Sequence, residues 1–155
     1  RDVERSRGLG DVYKRQAVLS ENPFLKAKSI VEKISNKADI IVLDFHAEAT
    51  AEKIAMGYYL DGKVTVVFGT HTHVQTADEK ILPNGTGYIT DIGMTGPRNS
   101  VIGMNIGASI KRFETTLPER YKIAEGECMF NSVMFEIDDK TNKVVKIERI
   151  SKNAN

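Results

Sequence analysis

Two apolar stretches decide the fold of this chain: residues 39–46, "DIIVLDFH", and residues 63–70, "KVTVVFGT". Each is a short run rich in branched residues, which is typical of a strand buried on both faces of a parallel sheet. Residues 50–62, "TAEKIAMGYYLDG", lie between them at helical spacing and end at a glycine. The predicted apolar stripe of that helix consists of Ala51, Ile54, Ala55 and Tyr58. A helical crossover between consecutive strands favours a layered α/β fold.

The flanking segments extend this pattern on both sides. Asn22 is a plausible N-cap and Pro23 a first helical residue of a helix that precedes residue 39. Downstream, residues 82–87, "LPNGTG", predict a turn, and the spacing of Ile106, Ile110 and Phe113 predicts a short helix before Pro118. The C-terminal part reads as a hairpin of two strands around "DDKTNK".

Composition limits the functional classes. The chain has 155 residues, with 22 lysines and arginines against 21 acids, so it offers no electrostatic footprint for nucleic acid or an anionic membrane. No apolar run approaches the roughly 18 residues of a membrane span. The single cysteine, Cys128, excludes an intrachain disulfide and fits a reducing cytoplasm.

The first sixteen residues, "RDVERSRGLGDVYKRQ", are charged and show no sustained period. We expect residues 1–16 to be a non-native leader, with a native flexible arm as the alternative. Residues 17–155 are then expected to belong to one domain.

All three histidines follow the two predicted strands. His46 ends the first strand, whereas His71 and His73 come just after the second. Because the carboxyl ends of neighbouring parallel strands share one edge of a sheet, the three imidazoles can meet there. On extended backbone the two later rings would point to the same side, with Cα atoms about 6–7 Å apart. Such rings can serve one metal ion, or one each of two adjacent ions.

Carboxylates near these histidines are candidates for supporting them. Asp44 shares the strand face of His46, and Asp78 follows the second strand. Glu48 could orient a ligating imidazole or could be a first-turn acid favoured by the helix dipole. Asp91 in "YITDIG" could support the site or hold a loop through an Asx turn.

The sequence from "DFHAEAT" (44–50) through "GTHTHVQTAD" (69–78) to "YITDIGMTGP" (88–97) resembles the YmdB-type metallophosphoesterases of bacteria, in the calcineurin-like superfamily. The likeness runs from about Asn22 to about Ile150. It implies an α/β/β/α sandwich of four layers with a two-metal centre, usually iron or manganese. By resemblance, His46 and His71 would ligate one metal and His73 the other. It also implies hydrolysis of 2′,3′-cyclic nucleotides, with activity on 3′,5′-cyclic AMP in some members.

The chain departs from the family pattern in its first forty residues. A Gly-Asp strand end, an Asn-Glu-Asn block and a Gly-Asn-His block are expected in the family, and none of them is present, since the Gly10-Asp11 pair of the leader follows no predicted strand. These motifs would supply the other metal ligands and a histidine general acid. The chain therefore resembles the C-terminal part of a single metallophosphoesterase domain. We expect it to bind at most one ion weakly, to be inactive alone and to form a homo-oligomer through uncovered apolar surface.

Two other functions fit the residues. One is a mononuclear zinc hydrolase that uses all three histidines, and the other is a non-catalytic module that senses a metal or a nucleotide. The glycine-rich loop of residues 93–104 is a candidate substrate contact. Its only cation, Arg98, could bind a phosphate or could simply be a solvated arginine.

Overall fold

A computed structural model describes residues 21–154, so the predicted leader at 1–16 lies outside the described residues. The chain divides into two compact units after Ile34. The described part of the first unit is helix α1, Pro23–Ile34. The Asn22 Oδ1 accepts hydrogen bonds from the backbone N–H groups of Phe24 at 2.9 Å and Leu25 at 3.4 Å. The predicted N-cap is therefore confirmed.

The second unit alternates strands and helices before it ends in a hairpin. Its elements are β1 (Val42–His46), α2 (Thr50–Leu60), β2 (Val66–Thr70), β3 (Lys80–Ile81), β4 (Gly87–Ile89), β5 (Gly96–Pro97), α3 (Ile106–Thr115), β6 (Cys128–Ile137) and β7 (Val144–Ala154). None of the helices in the described range is long and apolar enough to cross a membrane.

The first sheet has four strands in the order β1-β2-β4-β3. Strands β1, β2 and β4 are parallel, and β3 is antiparallel to β4. His46 pairs with Thr70 at the last position of the β1–β2 ladder. The parallel register therefore brings the ends of the two predicted strands to one edge of the sheet.

Strand β1 does not have the burial predicted for it. Its residues alternate between exposed and half-buried positions, and Val42 is 53% exposed. The physical reason is its place at the edge of the sheet, where among the described strands it pairs only with β2. Strand β2 lies between two partners and is largely buried, as predicted.

The second sheet consists of β5, β6 and β7, all antiparallel, and confirms the C-terminal hairpin. Its loop is closed by Asp138, whose Oδ1 accepts from the Thr141 N–H at 2.8 Å and hydroxyl at 2.7 Å. The two sheets pack against each other at Gly87, where a Cβ atom would lie 2.9 Å from side-chain atoms of both Phe135 and Val144. The α/β class of the prediction is confirmed.

Helix α2 covers the other face of the first sheet, but not with the predicted stripe. Its buried residues are Lys53, Met56, Gly57 and Leu60. Ala51, Ala55 and Tyr58 are exposed and Ile54 is half-buried, so the predicted stripe is wrong. Two residues that a hydropathy scale does not count as apolar, Lys53 and Gly57, lie on the buried face of α2. Lys53 has a charged partner inside the protein, and Gly57 allows the helix to approach the ring of Tyr88.

We predict that Gly57→Ala destabilises the protein although alanine is the better helix former. A Cβ at this position would lie 2.5 Å from Tyr88 Cδ2, and Tyr88 is only 1% exposed and cannot move aside. Overpacking of this kind costs about 1–3 kcal/mol, which exceeds a propensity gain of about 1 kcal/mol. Urea denaturation would measure the loss.

Gly107→Ala in helix α3 is the matched control for this prediction. Its Cβ would meet only Asn105 Oδ1 at an ordinary 3.6 Å. We expect a gain of about 0.5–1 kcal/mol from reduced backbone entropy of the unfolded chain. Equal effects at the two glycines would contradict the close approach of α2 to the sheet.

Candidate metal centre

Two of the three histidines meet at the edge of the first sheet. His71 Nδ1 lies 3.1 Å from His46 Nε2, and the two rings are 4.9 Å apart between centroids at an angle of 82°. Both side chains are exposed. The sequence thus correctly predicts that the ends of β1 and β2 bring imidazoles together.

A short relay fixes the proton of His46. Thr70 donates its hydroxyl hydrogen to Asp44 Oδ1 at 2.8 Å. The same hydroxyl oxygen lies 3.0 Å from His46 Nδ1, and since its only hydrogen is already used, it must accept from that nitrogen. His46 therefore carries a proton on Nδ1, and its Nε2 is the nitrogen that faces His71. Asp44 supports His46 through Thr70 instead of touching it directly.

His73 is oriented by a different group. Its Nδ1 lies 2.9 Å from the carbonyl oxygen of Ile102. A carbonyl can only accept, so Nδ1 is the protonated nitrogen and Nε2 keeps a free lone pair. Among residues 21–154, no group of three or more His, Cys, Asp or Glu side chains is arranged to hold one metal ion.

The donor set of His46 and His71 fits part of a metal site. Two imidazole nitrogens bound to one ion at about 2.0–2.1 Å lie about 2.9–3.4 Å apart in octahedral or tetrahedral geometry. The observed separation of 3.1 Å is within that range. A neutral imidazole whose other nitrogen donates to an oxygen is the form in which histidine binds metals, and the contact of His46 Nδ1 with Thr70 Oγ1 is of this kind.

The backbone of the histidine loop is not extended. His71 has φ of 105° and His73 has φ of 64°, so the extended backbone predicted for this pair is wrong. Non-glycine residues in this region are strained and need support from their surroundings. The strain lies in the loop that carries the candidate ligands.

A buried ion pair provides that support. Lys53 and Asp91 are 1% and 0% exposed, and Lys53 Nζ lies 2.8 Å from Asp91 Oδ2. Lys53 also donates to the carbonyl of Thr70 at 2.5 Å, and Asp91 Oδ2 accepts from the N–H of Thr72 at 2.9 Å. The pair therefore holds the backbone on both sides of His71.

The second oxygen of Asp91 closes the predicted Asx turn. Its Oδ1 accepts from the N–H of Gly93 at 2.9 Å, which confirms that prediction. Burial by itself would raise the pKa of the Asp91 carboxyl. The hydrogen bonds from Lys53, Thr72 and Gly93 outweigh burial and hold that pKa below its usual value.

The other candidate residues lie outside the cluster. Glu48 is exposed and makes no hydrogen bond or ion pair with another described residue. Asp78 instead links Thr76 and Thr90, accepting from their hydroxyls at 2.7 Å and 2.5 Å. Arg98 is exposed, and its backbone N–H donates to the Glu127 carbonyl at 2.8 Å. The roles of these residues in a metal or substrate site stay predictions.

Sequence reasoning missed three residues of this arrangement: Lys53, Thr70 and Ile102. The position of Lys53 in helix α2 was one available signal. Met56, Gly57 and Leu60 follow it by three, four and seven residues, so all four lie on one face of the helix. Thr70 is one residue from His71 and shares a ladder position with His46. Ile102 gave no signal, since it acts through its backbone carbonyl.

Two packed sheets, a helix on the outer face and imidazoles at parallel strand ends define an α/β protein of the metallophosphoesterase type. A sequence model of YmdB-like proteins matches residues 8–150. The chain belongs to this YmdB-like family.

Relatives with known names or structures agree with this assignment. The chain is 54% identical over 130 residues to the 2′,3′-cyclic-nucleotide 2′-phosphodiesterase of Bacillus subtilis, covering 84% of this chain and 49% of that protein. It superposes with a TM-score of 0.80 on a phosphatase of Mycoplasma pneumoniae, at 44% identity over 85% of this chain and 47% of the other. A hypothetical protein of Thermus thermophilus gives the same TM-score of 0.80 at 37% identity, over 87% and 52% of the two chains. The chain thus spans about half the length of the relatives it matches.

We predict that Lys53→Met destabilises the protein by about 3–5 kcal/mol, because it leaves the buried Asp91 carboxylate without its cation. Lys63→Met is the matched control on an exposed lysine, with an expected change within about 0.5 kcal/mol. Adding Asp91→Asn to Lys53→Met should recover part of the loss, since it removes the uncompensated charge. Thermal and urea unfolding would measure all three, and a loss as small for Lys53→Met as for Lys63→Met would contradict the role of the pair.

We further predict that the Lys53–Asp91 pair makes the free energy of unfolding fall at acidic pH. The pKa of Asp91 is lower in the folded chain than in the unfolded one, so its contribution is complete above the unfolded value of about 3.9. It is lost as the pH falls below that value and through the folded pKa. Asp91→Asn should be less stable at neutral pH but should show a shallower decline of unfolding free energy between about pH 4 and pH 2. Parallel declines for the two proteins would contradict the assignment.

Proposed function

We propose that this chain is part of a metal-dependent phosphodiesterase that hydrolyses cyclic nucleotides, either 2′,3′-cyclic or 3′,5′-cyclic AMP. The proposal includes a two-metal centre of iron or manganese, in which His46 and His71 hold one ion and His73 holds the other. It rests on family membership and on the activity for which the Bacillus subtilis relative is named.

One observation of this structure carries the metal assignment: His46 Nε2 and His71 Nδ1 converge at 3.1 Å while Thr70 and Asp44 fix the proton of His46. The free Nε2 of His73, set by Ile102, points to a separate role for that residue. This arrangement supports two ions better than one ion held by three histidines.

The described residues of this chain would bind and orient, and the general acid would come from the rest of a longer protein. Metal ions, when bound, would supply charge neutralisation on the phosphate oxygens and activation of water. Asp44 and Thr70 would keep His46 in the ligating tautomer. The Lys53–Asp91 pair would hold the backbone of His71 in place for binding.

The 155 residues contain no Asn-Glu-Asn or Gly-Asn-His block, and their one Gly-Asp pair, Gly10-Asp11, lies in the predicted leader. We therefore propose that this chain alone binds at most one ion, and weakly, and that turnover needs ligands and a general acid from the rest of a longer protein. The cytoplasmic location and a homo-oligomeric state also stay predictions.

Metal titration of the chain tests the ligand assignment. We expect one Mn²⁺ ion to bind weakly by isothermal titration calorimetry, with His46→Gln and His71→Gln each reducing affinity at least tenfold. His73→Gln should leave that affinity unchanged and serves as the matched control. Equal losses at all three histidines would favour the mononuclear alternative and would overturn the proposed division.

Hydrolysis assays test the enzyme assignment. A full-length protein with these residues and the three missing blocks should hydrolyse 2′,3′-cyclic AMP in the presence of Mn²⁺ or Fe²⁺, whereas the 155-residue chain should not. Lack of turnover by the full-length protein, with metal bound, would favour a sensing module. Rapid turnover by the short chain would contradict the need for the missing ligands.

A further inference from the structure

A cavity of about 250 Å³ lies beside the candidate metal centre. It is bounded by the tight turn of residues 101–104, by helix α3 and by residues 119–122. Ile102 lines this cavity, and its carbonyl oxygen is the acceptor for His73 Nδ1 at 2.9 Å. One residue therefore joins the wall of the cavity to a candidate ligand.

The turn that carries Ile102 is strained. Val101 and Met104 exchange two backbone hydrogen bonds of 2.9 Å, with Ile102 at φ of 48° and Gly103 at φ of 97° between them. Two central residues with positive φ form the kind of turn that prefers Asn-Gly, and a β-branched residue at the first position is an outlier. Strain of this kind persists where the surrounding structure requires it and is concentrated at functional sites.

The walls of the cavity combine apolar surface with flat polar groups. Ile102, Met104 and Phe113 supply the apolar part. The guanidinium of Arg112 lies 4.9 Å from the ring centroid of Tyr121 and donates a hydrogen bond to its hydroxyl. Aromatic rings and guanidinium planes are the surfaces on which proteins stack nucleobases.

Positively charged side chains outnumber acids in the lining of the cavity. Arg112, Arg120 and Lys122 line the cavity against one acid, Glu119. That acid already has a cation, because its Oε1 lies 2.5 Å from Nζ of Lys111. The lining therefore has an excess of positive charge, although the chain as a whole has a formal net charge of only +1.

We propose that this cavity binds the heterocyclic base of the nucleotide substrate, with Tyr121 and Arg112 as the stacking surface. The inference rests on the proposed function for the phosphate end of the ligand and adds the specificity site. The volume is below the roughly 300–1,000 Å³ of pockets for drug-sized ligands, and it suits a single heterocycle. The Ile102–His73 hydrogen bond places the base site next to the position where the phosphate would be held.

Binding without metal or turnover tests this site on the 155-residue chain. Adenosine, adenosine 2′-monophosphate and ribose 5-phosphate would be titrated separately and followed by NMR of backbone amides and by calorimetry. We expect the two ligands with a base to shift the amides of residues 101–104 and 108–113. Ribose 5-phosphate should bind at least tenfold more weakly than adenosine 2′-monophosphate.

Variants separate the base site from the phosphate site. Tyr121→Ala should weaken adenosine binding about tenfold, as expected for loss of one stacking surface, whereas Tyr121→Phe should retain most of it. Tyr58→Ala, an exposed tyrosine on helix α2, is the matched control and should not change binding. Phe113→Ala provides a second test that does not threaten folding, because this side chain is 78% exposed.

Several results would overturn the base site while leaving the phosphodiesterase proposal intact. These are equal binding of ribose 5-phosphate and adenosine 2′-monophosphate, or unchanged adenosine binding in both Tyr121→Ala and Phe113→Ala. The base site is also rejected if adenosine does not bind. If Tyr121→Ala then converts an oligomer to a monomer, the cavity is a contact between copies. Conversely, adenosine binding that persists in His46→Gln without any hydrolysis by the full-length protein would retain the base site and reject the enzyme.

Discussion

The ion pair between Lys53 and Asp91 is the contact on which the histidine loop depends. It joins helix α2 to the segment after strand β4, and its two members hold the carbonyl of Thr70 and the N–H of Thr72. A buried ion pair is seldom more stabilising than apolar residues of the same size, because desolvation offsets the attraction. This ion pair matters for where its hydrogen bonds lie, because its charged groups bind backbone atoms on both sides of His71.

The position of the histidine loop and the location of the His46 proton together set the geometry of this site. The loop sets where His71 approaches His46, and the relay from His46 through Thr70 to Asp44 sets which nitrogen faces it. His73 is set independently by Ile102, which also forms a wall of the neighbouring cavity. The candidate metal ligands and the proposed base site are thus positioned by one continuous set of contacts.

The sequence predicts the parts of this structure that follow from local pattern. Strand β2, the hairpin loop at Asp138, the N-cap at Asn22 and the Asx turn at Asp91 all depend on residues close together in the chain. The meeting of His46 with His71 also follows, because parallel strands share a carboxyl edge.

What the sequence could not predict depends on distant partners. Helix α2 buries Lys53 because of a carboxylate 38 residues away, so an apolar stripe chosen by hydropathy falls on the wrong face. The exposure of strand β1 depends on its place at the sheet edge, and an apolar run alone does not indicate that place. The positive φ angle of His71 lies between the two backbone groups that Lys53 and Asp91 hold, and those contacts join residues far apart in the sequence.

The distribution of backbone strain gives an independent reason to regard this edge as functional. Within residues 21–154, five residues other than glycine have positive φ. Thr116 is the C-cap of helix α3, and Asn142 closes the hairpin loop, so both are ordinary positions for a left-handed residue. The other three are His71, His73 and Ile102, and a hydrogen bond joins the last two. The remaining strain lies on the two candidate ligands and on a β-branched residue in the turn beside them, as expected if binding requires it.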